Sequence, residues 1–256
     1  MSFWTDKVVM ITGASSGIGK GLALDLASRG ARLGLLARRQ NLLDEIVNAT
    51  RLRGGKAFAA AADVRDADEM RSAADRITAQ LGPIDILIAN AGIGTSIHIS
   101  QLDPIHAANV ISINVLGAAN SVAAVVPGMV ERGKGQLVAI SSLAAYRGLP
   151  KSAAYCASKA AMSAFFESVR IDLRGTGVGV TIIHPGFIKT PLTAGRDAKM
   201  PYLMELDDAI PKIVSAIEKG KKSVAFPWQL ATVVRAGMFM PTFMYDWIAA
   251  RNSFRE

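Results

Sequence analysis

Tyr155 and Lys159 stand four residues apart in the string YCASK, within a stretch whose small residues (Ala153, Ala154, Ala157, Ala160 and Ala161) suit a closely packed helix. At that spacing the two side chains share a helix face. A free phenol titrates near ~10, too high to trade protons easily at neutral pH, but a neighbouring ammonium stabilises the phenolate and lowers that value. Lys159 can supply the charge. Ser142 lies 13 positions before Tyr155, at the end of an apolar run, and a parallel-sheet crossover would carry its hydroxyl to the carboxyl edge where ligands of such sheets bind. The chemistry open to this trio is proton exchange with an oxygen. Each member also has a plainer explanation: Tyr155 as a core aromatic, Lys159 as a surface charge, Ser142 as a turn former.

A second set of residues could bind rather than react. TGASSGIG, residues 12–19, follows an apolar strand and opens a helix. Gly13 permits the tight turn, Gly17 lets backbone approach a phosphate, and Gly19 lets helix and strand pack closely while the first amides face the anion. Ser15, Ser16 and Ile18 complete the loop. The general GxGxxG string is absent, and a glycine-rich turn after a strand can be only a turn. Ala37 and Arg38 lie 18 and 19 residues past Gly19, in LLARRQN, at the position that reads the adenosine ribose. An acid there would bind the 2′-hydroxyl of NAD. Ala37 offers that hydroxyl nothing, whereas Arg38 offers a planar cationic fork to a phosphate. The pattern predicts NADP(H), with Ser15 as a further donor and Arg39 assisting above the adenine; the plainer alternative is a solvated pair of arginines at a helix start.

These residues need a scaffold, and apolar runs of strand length alternate with amphipathic helical segments along the chain. Strands are predicted at Lys7–Thr12, Arg32–Leu36, Ala57–Ala61, Ile84–Asn90, Gly135–Ser141, Val178–His184 and Ser223–Phe226. Helices are predicted at Gly17–Arg29, Asn41–Arg53, Ala67–Gln80, Ile105–Glu131 with a break, Ser152–Arg174 and Asp207–Lys219. The fold class expected is α/β, a Rossmann-like, doubly wound, mostly parallel sheet of seven strands flanked by helices. One domain spans 1–256, with a turn-rich lid candidate at about 190–206 and an apolar segment at about 227–256.

TGASSGIG, Asp63-Val64, NAG at 90–92, Asn114, Ser142, YCASK and PG at 185–186 occur in the order and approximate spacing of the short-chain dehydrogenase/reductase family, and the chain resembles its main single-domain type over about residues 7–190. That resemblance implies further roles. Asp63 and Val64 would flank the adenine, although Asp63 could be a strand-end turn residue. Asn90, Ala91 and Gly92 would line the middle of the cofactor, and Pro185, Gly186, Ile188 and Thr190 its nicotinamide end. The implied reaction is hydride transfer between nicotinamide and a carbonyl carbon. Tyr155 would give a proton to the oxygen, Ser142 would steady it, and Lys159 would also bind the nicotinamide ribose. Asn114, alone in the apolar string ISINVLG, would anchor a water relay behind Lys159; otherwise it is a satisfied residue at a helix bend. All four positions match the family's reaction set together.

Composition narrows the partners. Half of the 256 residues are apolar and a fifth are charged, the balance of a globular chain with ample core. The formal charge of +8 is scattered, without the reader helix, aromatic platform or zinc spacing of a nucleic-acid binder. Cys156 is the only cysteine, and His98, His106 and His184 are dispersed, so neither a disulfide nor a metal site is expected. A cytoplasmic protein without export segment is expected, since residues 1–6 are too short and polar for a signal. The substrate walls fall at residues 93–97, 143–149, Phe187 and the 190–206 loop, with Tyr202, Leu203 and Met204 as movable apolar contacts, which favours a small hydrophobic ketone, aldehyde or secondary alcohol. A 3-oxoacyl-carrier-protein reductase is the alternative enzyme, and a non-catalytic NADPH-binding scaffold the alternative of another class. Small-residue helix faces would suit a homodimer or homotetramer. The segment beyond Phe226 is expected to form two short helices, packed on the body or a second subunit, or lying peripherally on a membrane.

Overall fold

A computed structural model of the chain describes residues 2–94, 96–194 and 200–251. The apolar runs become seven parallel strands: β1 (Val8–Thr12), β2 (Arg32–Ala37), β3 (Lys56–Ala61), β4 (Ile86–Ala89), β5 (Gly135–Ile140), β6 (Val178–Pro185) and β7 (Ser223–Phe226), in the order β3-β2-β1-β4-β5-β6-β7. Central strands are buried on both faces, which explains their unbroken apolar composition, as in VVMIT of β1. Alternation still sorts them: Val9 and Ile11 join one core, Val8 and Met10 the other.

The first core is closed by α1 (Gly17–Ser28), α2 (Gln40–Arg51) and α7 (Leu206–Glu218), through Leu22, Leu26, Leu43 and Ile213. The second is closed by α3 (Ala67–Leu81), α5 (Gly117–Glu131) and α6 (Ala153–Asp172), through Met70, Ile77, Val122 and Phe166. Boundaries agree with the sequence expectation to within about two residues. The expected break between residues 105 and 131 takes another form. Here α4 (Pro104–Ile111) runs through a π-helical turn, Ser112–Leu116, directly into α5. The helix widens at Asn114 rather than stopping. This continuous run of 28 residues is long and apolar enough to cross a membrane by length and composition, yet Val110, Ile113, Val122, Val125 and Met129 are buried within the protein.

Beyond β7 the two short helices expected from the sequence are α8 (Trp228–Met238) and α9 (Thr242–Arg251). They are tied to the segment after β5. Arg147 donates to the carbonyls of Gly237 and Met240 and lies over the Tyr245 ring, whose hydroxyl donates to Gly148 O.

Candidate active site

The strand order reverses between β1 and β4, since β1 pairs with β2 on one side and β4 on the other. That reversal opens a crevice at the carboxyl edge, and the glycine loop fills its floor. Gly13 is left-handed at φ +66°, and a Cβ there would come 2.8 Å from Ala91 Cα. At Gly19 a Cβ would lie 2.4 Å from Gly13 O. Asn90 fastens the next strand to this loop: its amide nitrogen donates to Thr12 O at 2.9 Å and Gly13 O at 3.3 Å, and its backbone N–H to Thr12 Oγ1. The peptide of Asn90 is thereby drawn out of β4, which ends at Ala89. Ser16 precedes α1 without capping it through its side chain, and the first turn holds no acid, so the first amides of α1, Ile18 among them, remain able to meet an anion.

At the outer end of the crevice, Ala37 closes β2, and both Arg38 and Arg39 are exposed. Arg39 turns inward, and its Nη2 donates to Ser15 Oγ at 3.0 Å. Arg38 instead acts electrostatically on Asp63, whose carboxyl is held below its ordinary range chiefly by hydrogen bonds from Arg65 and to a lesser degree by Arg38. Asp63 therefore carries an ion pair at 2.6 Å with Arg65, while Val64 is buried.

At the other end, Ser142 follows β5 and caps the single turn Leu143–Ala145, its Oγ accepting from Ala144 N at 3.1 Å. Tyr155 sits in the first turn of α6, half-buried, and its ring occupies the space that a Cβ on Gly94 would need. Lys159 is 4% exposed, with Nζ donating to Ile140 O at 2.8 Å and lying 5.9 Å from the Tyr155 ring centroid. Burial pushes its pKa down to about 8. Lys159 is thus no surface charge.

Asn114 is fully buried, and both its amide oxygen and its amide nitrogen are hydrogen-bonded. Oδ1 accepts from Ile93 N at 2.8 Å, and Nδ2 donates to Ile93 O and to Ser158 Oγ, both at 2.9 Å. Ser158 in turn donates to Tyr155 O at 2.7 Å. One side chain in a π turn therefore clamps the loop after β4 to the first turn of α6. Asn114 Oδ1 and Lys159 Nζ also face the same glycine, Gly92, at 3.2 and 3.5 Å from where its Cβ would stand.

The 185–190 segment returns to the crevice. Gly186 N donates to Phe226 O at 2.7 Å, Ile188 is buried, and Thr190 lies beside Gly17, at 3.5 Å from a Cβ placed there. Met204 pairs with Ile188 in an isolated bridge, donating its N–H to Phe187 O and accepting from Lys189 N. Its backbone is anchored by these bonds, while Tyr202 and Leu203 are exposed. Residues 195–199 of the lid candidate and residue 95 of the expected substrate wall lie outside the described residues.

Sequence reasoning missed Ser158, whose only sign was its place on the small-residue face beside Lys159. It also passed over His184, weighed only as one of three dispersed histidines. The imidazole is buried in β6, with Nδ1 facing Ser142 O at 3.3 Å and the ring 4.9 Å from that of Tyr146. A carbonyl can only accept, so Nδ1 carries the proton. Desolvation lowers its pKa to about 4, and Arg235 of α8 donates to the Tyr146 hydroxyl at 3.3 Å. A relay of contacts thus joins α8 to the backbone of Ser142.

The sequence profile of the short chain dehydrogenase family matches residues 7–201. An uncharacterized oxidoreductase of Myxococcus xanthus is 43% identical over 245 residues, covering 96% of this chain and 97% of that protein. A ketoacyl reductase of Nostoc, HetN, is 33% identical, covering 87% and 78%. An 11-beta-hydroxysteroid dehydrogenase of Arabidopsis thaliana is 40% identical over 192 residues, 74% of this chain and 54% of that one. Among solved structures, a gluconate 5-dehydrogenase of Burkholderia cenocepacia in complex with NADP and tartrate superimposes with a TM-score of 0.82 at 24% identity, covering 89% and 96%.

Proposed function

This chain belongs to the short-chain dehydrogenase family, and from that premise we propose that it is an NADP(H)-dependent oxidoreductase acting on a hydrophobic ketone, aldehyde or secondary alcohol. Two features support this reading: at Gly13 and Gly19 any Cβ would strike neighbouring backbone, so the loop lies close-packed on the strand, and the first turn of α1 carries no acid to repel a phosphate. The glycine loop would receive the pyrophosphate, Arg38 the 2′-phosphate with Arg39 beside it on Ser15, and Asp63 and Val64 the adenine. Asn90, Ala91 and Gly92 would line the middle, and Pro185, Gly186, Ile188 and Thr190 the far end. When bound, the cofactor supplies hydride to a carbonyl carbon or accepts it from an alcohol.

The chain's own task is then the proton. Tyr155 passes its phenolic proton to the carbonyl oxygen, or takes one from the alcohol. Ser142 Oγ accepts from Ala144 N, which leaves its own O–H to donate to that oxygen. Lys159, as a cation in a desolvated site, stabilises the phenolate more strongly than it could in water. Asn114 sets the position of Tyr155 through Ser158.

One observation carries this reading: Lys159, 4% exposed on the face of Tyr155, has its Nζ hydrogen-bonded to the Ile140 carbonyl and the Met162 sulfur and, among the described residues, to no carboxylate. Burying such a charge without an acid is costly and marks a functional position more often than a structural one. The test is NADPH oxidation over aliphatic, aromatic, steroid and β-keto-thioester carbonyls, with Tyr155→Phe as control. Turnover on at least one class, lost in Tyr155→Phe, is expected. Full turnover by Tyr155→Phe would overturn the assignment, and oxidation of none of the carbonyls would favour a scaffold. The +8 charge supports a second arm with acidic acyl-carrier substrates, whose rates would fall as salt screens the attraction.

A further inference from the structure

We propose that Arg147 is a positioning residue for the reaction read above: by fixing α8 and α9 against the connection between β5 and α6, it holds Ser142 and the proposed substrate wall 143–149 at the reacting end of the crevice. The inference rests on that reading of the reaction. The connection, residues 141–152, carries Ser142 near its start and delivers Tyr155 just past its end, yet beyond the single turn Leu143–Ala145 it contains no helix or strand. Its backbone is also held in an unfavourable shape. Lys151 is left-handed at φ +58° without being glycine, and its carbonyl accepts from Ile97 N at 2.8 Å, in the loop after β4. Such a conformation persists only where neighbouring structure imposes it.

The two C-terminal helices supply part of that structure, and Arg147 is where they meet the connection. Its Nη1 donates to the carbonyls of Gly237 and Met240, the latter at 3.0 Å, at the C-terminal end of α8, where a cation is favoured. The guanidinium stands 3.9 Å from the centroid of the Tyr245 ring on α9, a cation–π contact between two half-buried side chains. The Tyr245 hydroxyl returns a hydrogen bond to Gly148 O. Two consecutive residues of the connection are thereby tied to both helices.

A displacement at Arg147 reaches Ser142 by two routes. Within the connection, Tyr146 N donates to Leu143 O, Ala145 N to Ser142 O, and Ala144 N to Ser142 Oγ, which links the turn into one unit. Across the fold, Arg235 of α8 donates to the Tyr146 hydroxyl, and the Tyr146 ring packs on His184, whose Nδ1 donates to Ser142 O. Leu230 of α8 and Leu143 also both close on Gly186, at 3.0 and 3.4 Å from where its Cβ would stand. A reacting group shifted by about 1 Å can cost ~10²-fold in rate.

The test compares the wild type with Arg147→Met, which keeps the stem and removes the donors, Arg147→Lys, which keeps a cation, and Tyr245→Phe, which removes only the bond to Gly148 O. Three quantities are read: kcat and KM for the carbonyl that the wild type reduces best, Kd for NADPH by fluorescence titration, and amide hydrogen exchange along the chain. Arg147→Met is expected to lower kcat at least ~10-fold with Kd for NADPH unchanged. It should also speed exchange at least ~10-fold within residues 142–152, while α1 and β1 keep their wild-type protection. Arg147→Lys should recover part of kcat, and Tyr245→Phe should repeat the pattern on a smaller scale. A purely structural arginine would instead lower Tm and speed exchange throughout the chain, and that result would overturn the proposal. So would unchanged exchange in residues 142–152, or faster exchange there at wild-type kcat. If Arg147→Met does not fold, Tyr245→Phe decides by the same criteria. A wild type that reduces no carbonyl removes the reaction and this role together, whereas an active wild type matched by its variants removes this role alone.

Discussion

Lys159 lies one helical turn beyond Tyr155, with its Nζ 5.9 Å from the centroid of the phenol ring and 2.8 Å from the carbonyl oxygen of Ile140. A cation held this way by a neutral acceptor keeps its field for the ring, and it keeps its charge only over a limited pH range.

Burial lowers the Lys159 pKa from 10.5 to about 8, so the cation is present below that value and lost above it. Carbonyl reduction is therefore expected to fall as pH rises through about 8. Stability should move oppositely. Between about 8 and 10.5 the unfolded chain binds the proton that the folded chain has lost, so stability rises with pH in that window. Lys159→Met is expected to reduce turnover ~10²–10⁴-fold and to flatten the rise in Tm. Initial rates and thermal melts across the same buffers separate the two effects.

Arg38→Ala is expected to raise KM for NADPH at least ~10-fold, the scale of a lost charge-assisted contact, with little change for NADH. Arg39 donates to Ser15 Oγ, so Arg39→Ala and Ser15→Ala should produce similar, smaller losses. Equal weakening of both cofactors by Arg38→Ala would remove the 2′-phosphate assignment.

Gly19→Ala would place a Cβ 2.4 Å from Gly13 O, whereas Gly179→Ala, in β6, would meet its neighbours at an ordinary 3.9 Å. The first substitution is expected to abolish NADPH binding in fluorescence titration. The second should leave it intact.

His184→Leu removes the donor facing Ser142 O and is expected to cost about 1 kcal/mol of stability and to lower kcat several-fold. His184→Asn, which retains a donor near the same place, should restore most of kcat. The folded pKa, about 4, lies below the ordinary 6.5 because of desolvation first, with Arg235 and Lys159 adding repulsion. The stability this neutral imidazole permits is complete above 6.5 and is lost as pH falls toward about 4. Melting temperatures of His184→Asn should decline less over that interval than those of the wild type.

Much of the fold was legible because β1, β2, β5 and β6 are apolar runs of strand length punctuated by glycine, and helices of period 3.6 lie between them. The site was legible where its signal is local. Tyr155 and Lys159 share a helix face by spacing alone, and the three glycines of the loop declare a close backbone approach. The π turn at Asn114 was not legible as such, since ISINVLG is apolar enough for an ordinary helix and only the packing around it selects the wider turn. Arg39 on Ser15 was not visible either, because the pair is separated by 24 positions.

The sequence by itself determined the alternating architecture, the glycine cradle, the shared face of Tyr155 and Lys159, and the cationic end of β2, all of which follow from periodicity, spacing and side-chain chemistry within single elements. Tertiary structure alone decided that Lys159 is desolvated, that Asn114 reaches Ser158 across 44 positions, that Met204 is tied to Ile188, and that His184 faces the backbone of Ser142. Hydrogen bonds and burial between distant segments depend on how helices seat on the sheet. That seating is a property of the whole packed chain, and no short stretch of residues encodes it.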